Sequence, residues 1–297
     1  TVCEPLFGSA SGYFPRLLGG GKTQIIEIHG ERNPYFGGLN PEPIPPNTNE
    51  FLARITAEKA DVGLAVDGDA DRAGLGDEKG RFVTTLTTYA LLMWYLLEVR
   101  GLRQPVVKTV NMTSMVDRLG EKYGVPVHEV PVGFKYIGPK MQETGAMMGG
   151  EESGGFGFAM HLPERDGIVA DLFFLDFMLK TKKKPSQLIA ELMDLAGPSF
   201  YLRRDLRLDA ATYGEEKPRI MERLRASKPR ELAGHPVKRV VDLDTGDGMK
   251  FFVDDGSWLL MRLSGTEPLV RVYTETRDEA EVAPMLDLGV KMVQGSK

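Results

Sequence analysis

Residues 61–72 read Asp61-Val62-Gly63-Leu64-Ala65-Val66-Asp67-Gly68-Asp69-Ala70-Asp71-Arg72, an apolar run that stops abruptly in three aspartates set two residues apart. Val62 to Val66 has the short continuous apolar character of a strand buried on both faces, and Phe51 to Lys59 before it carries the apolar spacing of a helix. Helix then buried strand is a unit of an α/β layer, and the β-branched run Gln24 to His29 begins the same alternation upstream. Carboxylates crowded at a strand end repel one another unless water or a cation intervenes. Oxygen donors at i, i+2 and i+4, without His or Cys among them, suit a hard divalent ion such as magnesium better than zinc. An EF-hand shares the Asp-x-Asp-x-Asp opening, and Glu78 would fill its twelfth position. Arg72, however, stands where that loop needs glycine, and a strand rather than a helix leads into it. An acidic surface turn is the remaining reading of the same residues.

Working outward, Asn33 to Asn49 is rich in Pro, Gly and Asn and reads as an irregular loop inside the first domain. Thr84 to Val99 is an apolar helix, Gly101 to Pro105 a break, and Val106 to Val110 the next strand. Thr113 or Ser114 caps a helix to Tyr123, Gly124 stops it, and Val125 to Val130 is a strand. Asp166 caps a helix through Lys180 that is apolar nearly all round and therefore expected to be buried. Lys182-Lys183-Lys184-Pro185 is a solvated turn, and Ser186 starts a helix to Ala196. After Gly197-Pro198 the pattern changes to charged strands at Leu202 to Leu208, Lys238 to Leu243, Met249 to Val253, Trp258 to Leu263 and Leu269 to Thr274. Helices fall near Ile220 and from Glu279 to Val293. The expected fold is α/β: two α/β domains with mixed sheets flanked by helices, at residues 1–102 and 103–197, followed by a smaller α+β domain at 198–297.

Composition fits that division. A chain of 297 residues exceeds the roughly 250 at which single cores stop growing. With 42% hydrophobic and 27% charged residues it is globular in character and not disordered. A net charge of −5 gives no general attraction for nucleic acid or an anionic membrane surface, so neither is an expected partner, while local basic patches remain able to bind phosphate. The longest apolar run, Tyr89 to Leu97, ends well before the ~20 residues that cross a bilayer. Cys3 is the single cysteine and has no internal partner, which points to the cytoplasm. The opening Thr1-Val2-Cys3-Glu4, without an initiator Met, reads as an interior point of a longer protein. Oligomeric state is not written in these features.

Three further stretches carry chemistry. Arg262-Leu263-Ser264-Gly265-Thr266-Glu267-Pro268 sets a guanidinium, two hydroxyls and a glycine turn between two strands, enough to wrap a phosphate, although an ordinary hairpin connection explains Ser, Gly and Pro equally well. Gly149-Gly150-Glu151-Glu152-Ser153-Gly154-Gly155 puts carboxylates and a hydroxyl on what reads as a flexible turn, suited to sugar hydroxyls or simply structural. Val132-Gly133-Phe134-Lys135 sets a lysine in a cleft or on an exposed loop. His29, His128, His161 and His235 have no metal or triad spacing and are assigned no role.

The order of these loops resembles the phosphoglucomutase/phosphomannomutase superfamily of α-D-phosphohexomutases, and the resemblance runs from Pro5-Leu6-Phe7-Gly8 to the final phosphate loop. It implies family domains 2, 3 and 4. By that resemblance Asp67, Asp69 and Asp71 ligate Mg²⁺, and Arg72 lies beside a phosphoserine. Glu151 and Ser153 grip sugar hydroxyls. Arg262, Ser264, Gly265 and Thr266 bind the phosphate already on the substrate, and Lys135, with Lys108, stands at the reacting end to assist proton transfer. The implied activity is that of an isomerase, an intramolecular phosphotransferase interconverting hexose 1-phosphate and hexose 6-phosphate. It would proceed through a phosphoserine and a hexose 1,6-bisphosphate that also serves as primer. The expected partners are a small phosphosugar and the family's first domain, whose Thr-Ala-Ser-His-Asn-Pro type serine loop has no counterpart here. Without that domain the isolated chain is expected to be inactive. The Gly-Glu-Glu-Ser-Gly-Gly loop looks closer to glucose- and mannose-directed members than to the glucosamine branch. Alternatives are a phosphoglucosamine mutase, a non-catalytic phosphosugar-binding protein that lost the nucleophile, and a magnesium phosphatase using one of the aspartates.

Overall fold

The apolar run at Gly63–Val66 is the third strand of a mixed five-stranded sheet in a computed structural model that describes residues 1–295. The sheet contains β1 (Val2–Glu4), β2 (Ile26–Glu27), β3 (Gly63–Val66), β4 (Ala73–Gly76) and β5 (Phe82–Val83) in the order β2-β1-β3-β4-β5. β1 runs parallel to β2 and β3, and β4 turns back antiparallel on both β3 and β5. All four residues of β3 are buried, as expected of a strand covered on both faces. The β-branched run at Gln24 to His29 contributes only Ile26–Glu27, because it pairs at the sheet edge with the three-residue β1. The helices of this part are α1 (Tyr13–Leu18), α2 (Asn49–Ala57) and α3 (Thr85–Glu98). α3 is capped by Thr84, whose hydroxyl accepts from the Thr87 amide at 3.2 Å, and every residue from Thr85 to Leu97 is buried. Truncating one of its fully buried leucines, such as Leu92→Ala, is expected to cost about 2–5 kcal/mol.

A second mixed sheet holds β6 (Val106–Thr109), β7 (Val127–Val130), β8 (Met148–Gly150) and β9 (Phe156–Phe158) in the order β7-β6-β8-β9. Its helices are α4 (Met115–Tyr123), α5 (Phe134–Thr144), α6 (Gly167–Thr181) and α7 (Pro185–Ala196). Gly124, in the left-handed region at φ 66°, ends α4 as its sequence signals. Asp166 caps α6 by accepting from the Val169 amide at 2.9 Å. Two local readings need correction. The stretch around Val132–Lys135 is the entry to α5, which runs on despite Pro139, so Lys135 sits in a helical first turn. Gly149 and Gly150 belong to β8, not to a flexible turn. α6 is also less enclosed than its composition suggests, with Leu179 61% exposed.

These two sheets and their helices form one compact unit, Thr1–Ala196, and Gly197–Lys297 forms another. The second contains β10 (Phe200–Arg207), α8 (Tyr213–Ala226), β11 (Glu231–Leu232), β12 (His235–Asp242), β13 (Gly248–Val253), β14 (Trp258–Leu263), β15 (Leu269–Thr276) and α9 (Val282–Gln294). Its antiparallel sheet has the order β10-β15-β14-β13-β12-β11. Leu224 of α8 and Met285 and Leu286 of α9 share a buried core with Phe251, Leu259, Met261, Val270 and Val272 of the strands, an α+β arrangement. Among the described residues no helix is long and apolar enough to cross a membrane.

Candidate active site

The chain leaves β3 at Val66 and enters the aspartate loop, whose turn is made by Ala70 at φ +66°, an unusual angle for a residue with a Cβ. The carboxylates of Asp67, Asp69 and Asp71 each bring one oxygen within 4.8 Å of the others. Asp67 is fully enclosed. Its Oδ1 accepts from the amides of Asp71 and Arg72 at 2.9 and 3.0 Å, and its Oδ2 accepts from Arg72 Nε at 2.5 Å. Asp69 is exposed and Asp71 half-buried. Burial, reinforced by the neighbouring charges of Asp67 and Asp69 and opposed by Arg165, pushes the Asp71 carboxyl up to about 6. An all-oxygen set of three carboxylates fits a hard divalent cation by its donor chemistry, since each carboxylate has acceptor capacity beyond the bonds it makes here.

Arg72 is held on two sides, by Asp67 and, through Nη1, by Glu42 at 3.2 Å. Glu42 comes from the Pro- and Gly-rich stretch, which packs on the aspartate loop: the Gly68 amide donates to the Pro41 carbonyl at 3.1 Å. On the other flank the Ser9 amide donates to the Gly68 carbonyl at 2.9 Å, and the Gly167 amide at the head of α6 donates to the Ala70 carbonyl at 3.0 Å. The loop is therefore braced from three separate segments of the first unit.

The Gly-Glu-Glu-Ser-Gly-Gly loop lies directly beside it. Arg72 and Gly155 form an isolated antiparallel bridge, the Ala73 amide donates to the Gly154 carbonyl at 3.0 Å, and Thr85 Oγ1 donates to the Glu152 carbonyl at 2.6 Å. Gly154 has φ +94°, and a Cβ there would stand 2.7 Å from the Ala73 carbonyl oxygen, so this approach of two backbones requires glycine. Glu151 is buried, and Ser153 Oγ is a buried hydroxyl with no hydrogen-bond partner among the described residues. Arg165 joins the two loops: its Nη2 is 2.5 Å from Asp71 Oδ2 and its Nη1 3.0 Å from Glu151 Oε1. Asp67, Asp69, Asp71, Arg72, Glu151 and Ser153 thus sit together on adjoining loops. Lys135 is exposed in the first turn of α5, its Nζ 5.1 Å from the Tyr136 ring centre. Lys108 is buried on β6, where its ammonium is committed to Asp117 and to the Thr113 carbonyl at 3.2 Å.

In the second unit, Ser264 to Pro268 connects β14 to β15. Ser264 Oγ accepts from the amides of Thr266 and Glu267 at 3.3 and 3.1 Å, which folds Gly265 and Thr266 into an exposed tip. Arg262 faces Arg271 across the strand pair. Two cations in that register repel, and each is compensated: Arg262 Nε by Asp247 at 2.9 Å, Arg271 Nη2 by Glu267 at 2.9 Å. Tyr213 of α8 braces the loop by donating its hydroxyl proton to the Ser264 carbonyl at 2.5 Å, and Lys217 lies 3.4 Å from the same oxygen. Paired guanidiniums beside an exposed Ser-Gly-Thr tip can receive an anion in charge-assisted hydrogen bonds.

Sequence reading missed Glu42, Arg165, Arg271, Tyr213 and Lys217. Only Arg271 had a usable signal: once Ser264 to Pro268 is taken as a hairpin, strand pairing sets it opposite Arg262. His235, assigned nothing, has both ring nitrogens engaged, Nδ1 with Asp254 at 3.2 Å and Nε2 with Glu281 at 2.9 Å. Those hydrogen bonds, led by Glu281, hold the imidazole pKa above its usual value.

Three family models match the chain. They are the alpha/beta/alpha domain II of phosphoglucomutase/phosphomannomutase at residues 1–80, alpha/beta/alpha domain III at residues 87–196, and the C-terminal domain at residues 215–287. A phosphoglucomutase/phosphomannomutase of Thermococcus kodakarensis is 32% identical over 99% of this chain and 60% of its own length. A Methanothermobacter thermautotrophicus protein described as a phosphoglucosamine mutase is 31% identical over 94% of this chain and 58% of its own. Among solved structures, a Thermus thermophilus protein described as a phosphomannomutase superposes with a TM-score of 0.82 at 34% identity, over 99% of this chain and 60% of that one. The chain thus spans about 60% of the length of relatives such as these.

Proposed function

The chain belongs to the α-D-phosphohexomutase (phosphoglucomutase/phosphomannomutase) superfamily, and its 297 residues carry domains II, III and IV without domain I; from this premise we propose that it supplies the metal, sugar and phosphate sites of a phosphohexomutase. The reaction is interconversion of hexose 1-phosphate and hexose 6-phosphate, with the phosphoserine contributed by domain I. The observation that carries the reading is the knitting of the aspartate loop to the Glu151–Ser153 loop, which brings a hard-cation donor set against a buried carboxylate and an unpartnered buried hydroxyl.

Asp67, Asp69 and Asp71 would hold Mg²⁺, which when bound supplies positive charge to the oxygens of the transferring phosphoryl group. Arg72, pinned by Asp67 and Glu42, keeps its remaining N–H groups directed by that clamp and donates them to the same phosphate. Glu151 accepts hydrogen bonds from sugar hydroxyls, and Ser153 gains the partner it lacks. Lys135 takes or returns the proton of the reacting hydroxyl. Lys108, the other lysine expected at the reacting end, has its ammonium occupied within its own domain. Arg262, Ser264, Gly265 and Thr266, joined by Arg271, bind the phosphate that does not react, so that distant binding energy orients whichever end of the sugar is presented. The three-domain division at 1–102, 103–197 and 198–297 assigns cation, sugar and phosphate to successive domains.

The test is isomerisation by this chain in combination with a phosphoserine domain, in Mg²⁺ and glucose 1,6-bisphosphate. The panel is glucose, mannose and glucosamine phosphates, because relatives bearing both kinds of name are almost equally similar. Interconversion of at least one, abolished by EDTA, is the expected result. Phosphate release without isomerisation would favour a phosphatase, and no reaction with any of the sugars would refute the proposal.

A further inference from the structure

Arg165 belongs to none of the motifs in the sequence, yet among the described residues it is the guanidinium that grips a carboxylate on each of the two adjoining loops. Its two terminal nitrogens are divided between them, 2.5 Å from Asp71 Oδ2 and 3.0 Å from Glu151 Oε1. The side chain is fitted to this place. Its stem lies in a slot opened by Gly155, where a Cβ would come within 2.3 Å of Arg165 Cδ, and its guanidinium stands 5.7 Å from the Phe134 ring centre. Its Nε is buried, has no hydrogen-bond partner among the described residues and lies 3.8 Å from Glu164 Oε1, so this residue is held by its ion pairs and by packing.

A cation on the aspartate triplet needs the charge on Asp71 that Arg165 neutralises. Two positive groups a few ångströms apart on one half-buried carboxylate compete, because the repulsion between them is only weakly screened there. Glu151 offers the guanidinium its other anchor. We propose that Arg165 is a positioning residue that couples the two loops: it occupies Asp71 in the absence of the cation and transfers its charge toward Glu151 when the cation arrives. The inference rests on the reading of the aspartate triplet as a cation site. It makes the state of the sugar loop depend on metal loading, and by linkage the reverse.

The coupling is readable as metal affinity, without turnover. Mn²⁺ binding to the 297-residue chain is followed by the electron paramagnetic resonance of the free ion. Arg165→Gln removes the competitor and is expected to tighten Mn²⁺ binding by roughly 5-fold or more. Glu151→Gln leaves Arg165 with Asp71 as its sole charged anchor of the two and is expected to weaken Mn²⁺ binding, an effect that shrinks when Arg165→Gln is also present. Arg165→Lys, which keeps a charge beside Asp71 but cannot also reach Glu151, should bind Mn²⁺ more weakly than the unaltered chain and be insensitive to Glu151→Gln. It serves equally if the glutamine variant does not fold. Unchanged or weaker binding in Arg165→Gln, or the same Glu151→Gln effect whichever residue stands at 165, would overturn the coupling while leaving the cation site intact. Identical Mn²⁺ affinity in Asp69→Asn and the unaltered chain would instead sink the cation site, and the coupling with it.

Discussion

In the proposed reaction single side chains divide into those that would meet the reacting phosphoryl group and those that would meet the phosphate at rest, and the two kinds should fail differently. Asp69, exposed and free of the brace that encloses Asp67, has no evident structural duty, so Asp69→Ala is expected to lower turnover by orders of magnitude with little change in melting temperature. Arg262→Ala would remove the charge-assisted hydrogen bond proposed for the resting phosphate, worth about 1.5–3 kcal/mol, and is expected to raise KM by roughly tenfold or more while kcat changes less. Steady-state kinetics of the two variants, in combination with a phosphoserine domain, separates these outcomes. Legibility at this scale followed sequence distance. Asp67 to Arg72 could be read because the chemistry and the strand that delivers it are contiguous. Glu42 and Arg165 could not, because 30 and 94 residues separate them from their partners Arg72 and Asp71, and nothing local marks either one.

Among the elements, α6 and the β12 terminus carry ionisable groups whose burden is structural. Asp171 on α6 is wholly buried, and neither of its oxygens has a hydrogen-bond partner among the described residues. Burial, with some help from Asp166, holds its carboxyl well above the usual carboxylate range. Such a group favours folding fully only below the unfolded value of about 3.9, and that contribution is lost as pH rises toward the folded one. Asp171→Leu should therefore stabilise the chain by about 1–3 kcal/mol at neutral pH, and by less near pH 4, as measured by denaturant titration at both. His235 has a raised pKa of the opposite chemical type. Its ion pairs tie β12 to the β13–β14 turn and to the entry of α9, so its contribution is present below about pH 6.5 and declines as pH rises through the folded value. Against His235→Gln, the stability advantage of the unaltered chain should shrink between pH 6 and pH 8. The element pattern itself was largely legible: the caps at Asp166 and Gly124 fell where their residue types set them. β8 and β9 were hidden, because glycine at 149, 150 and 157 reads as turn when it is in fact what lets packed neighbours approach. A Cβ on Gly150 would stand 2.3 Å from the Tyr89 ring.

At the scale of the whole chain, each compact unit has its own sheet structure and core and holds complete candidate loops of its own, the aspartate and Glu151–Ser153 loops in the first and the Ser264–Pro268 loop in the second. Residues 197–297 enclose a core of strands and two helices, so that segment expressed alone is expected to unfold cooperatively on heating; a featureless melt would show that its fold depends on the rest. The α/β, α/β, α+β succession was legible because the change in strand chemistry after Gly197-Pro198 marks it. The central claim is that these 297 residues direct a phosphoryl group from a serine outside them to a sugar hydroxyl. It is tested most directly by single-turnover transfer of radiolabel from a phosphorylated serine domain to the 6-phosphates of glucose, mannose and glucosamine, each in turn. The expected product is labelled hexose 1,6-bisphosphate from at least one of the three, formed only when this chain and a divalent cation are both present. Label that stays on the serine, or leaves only as inorganic phosphate, would contradict the account.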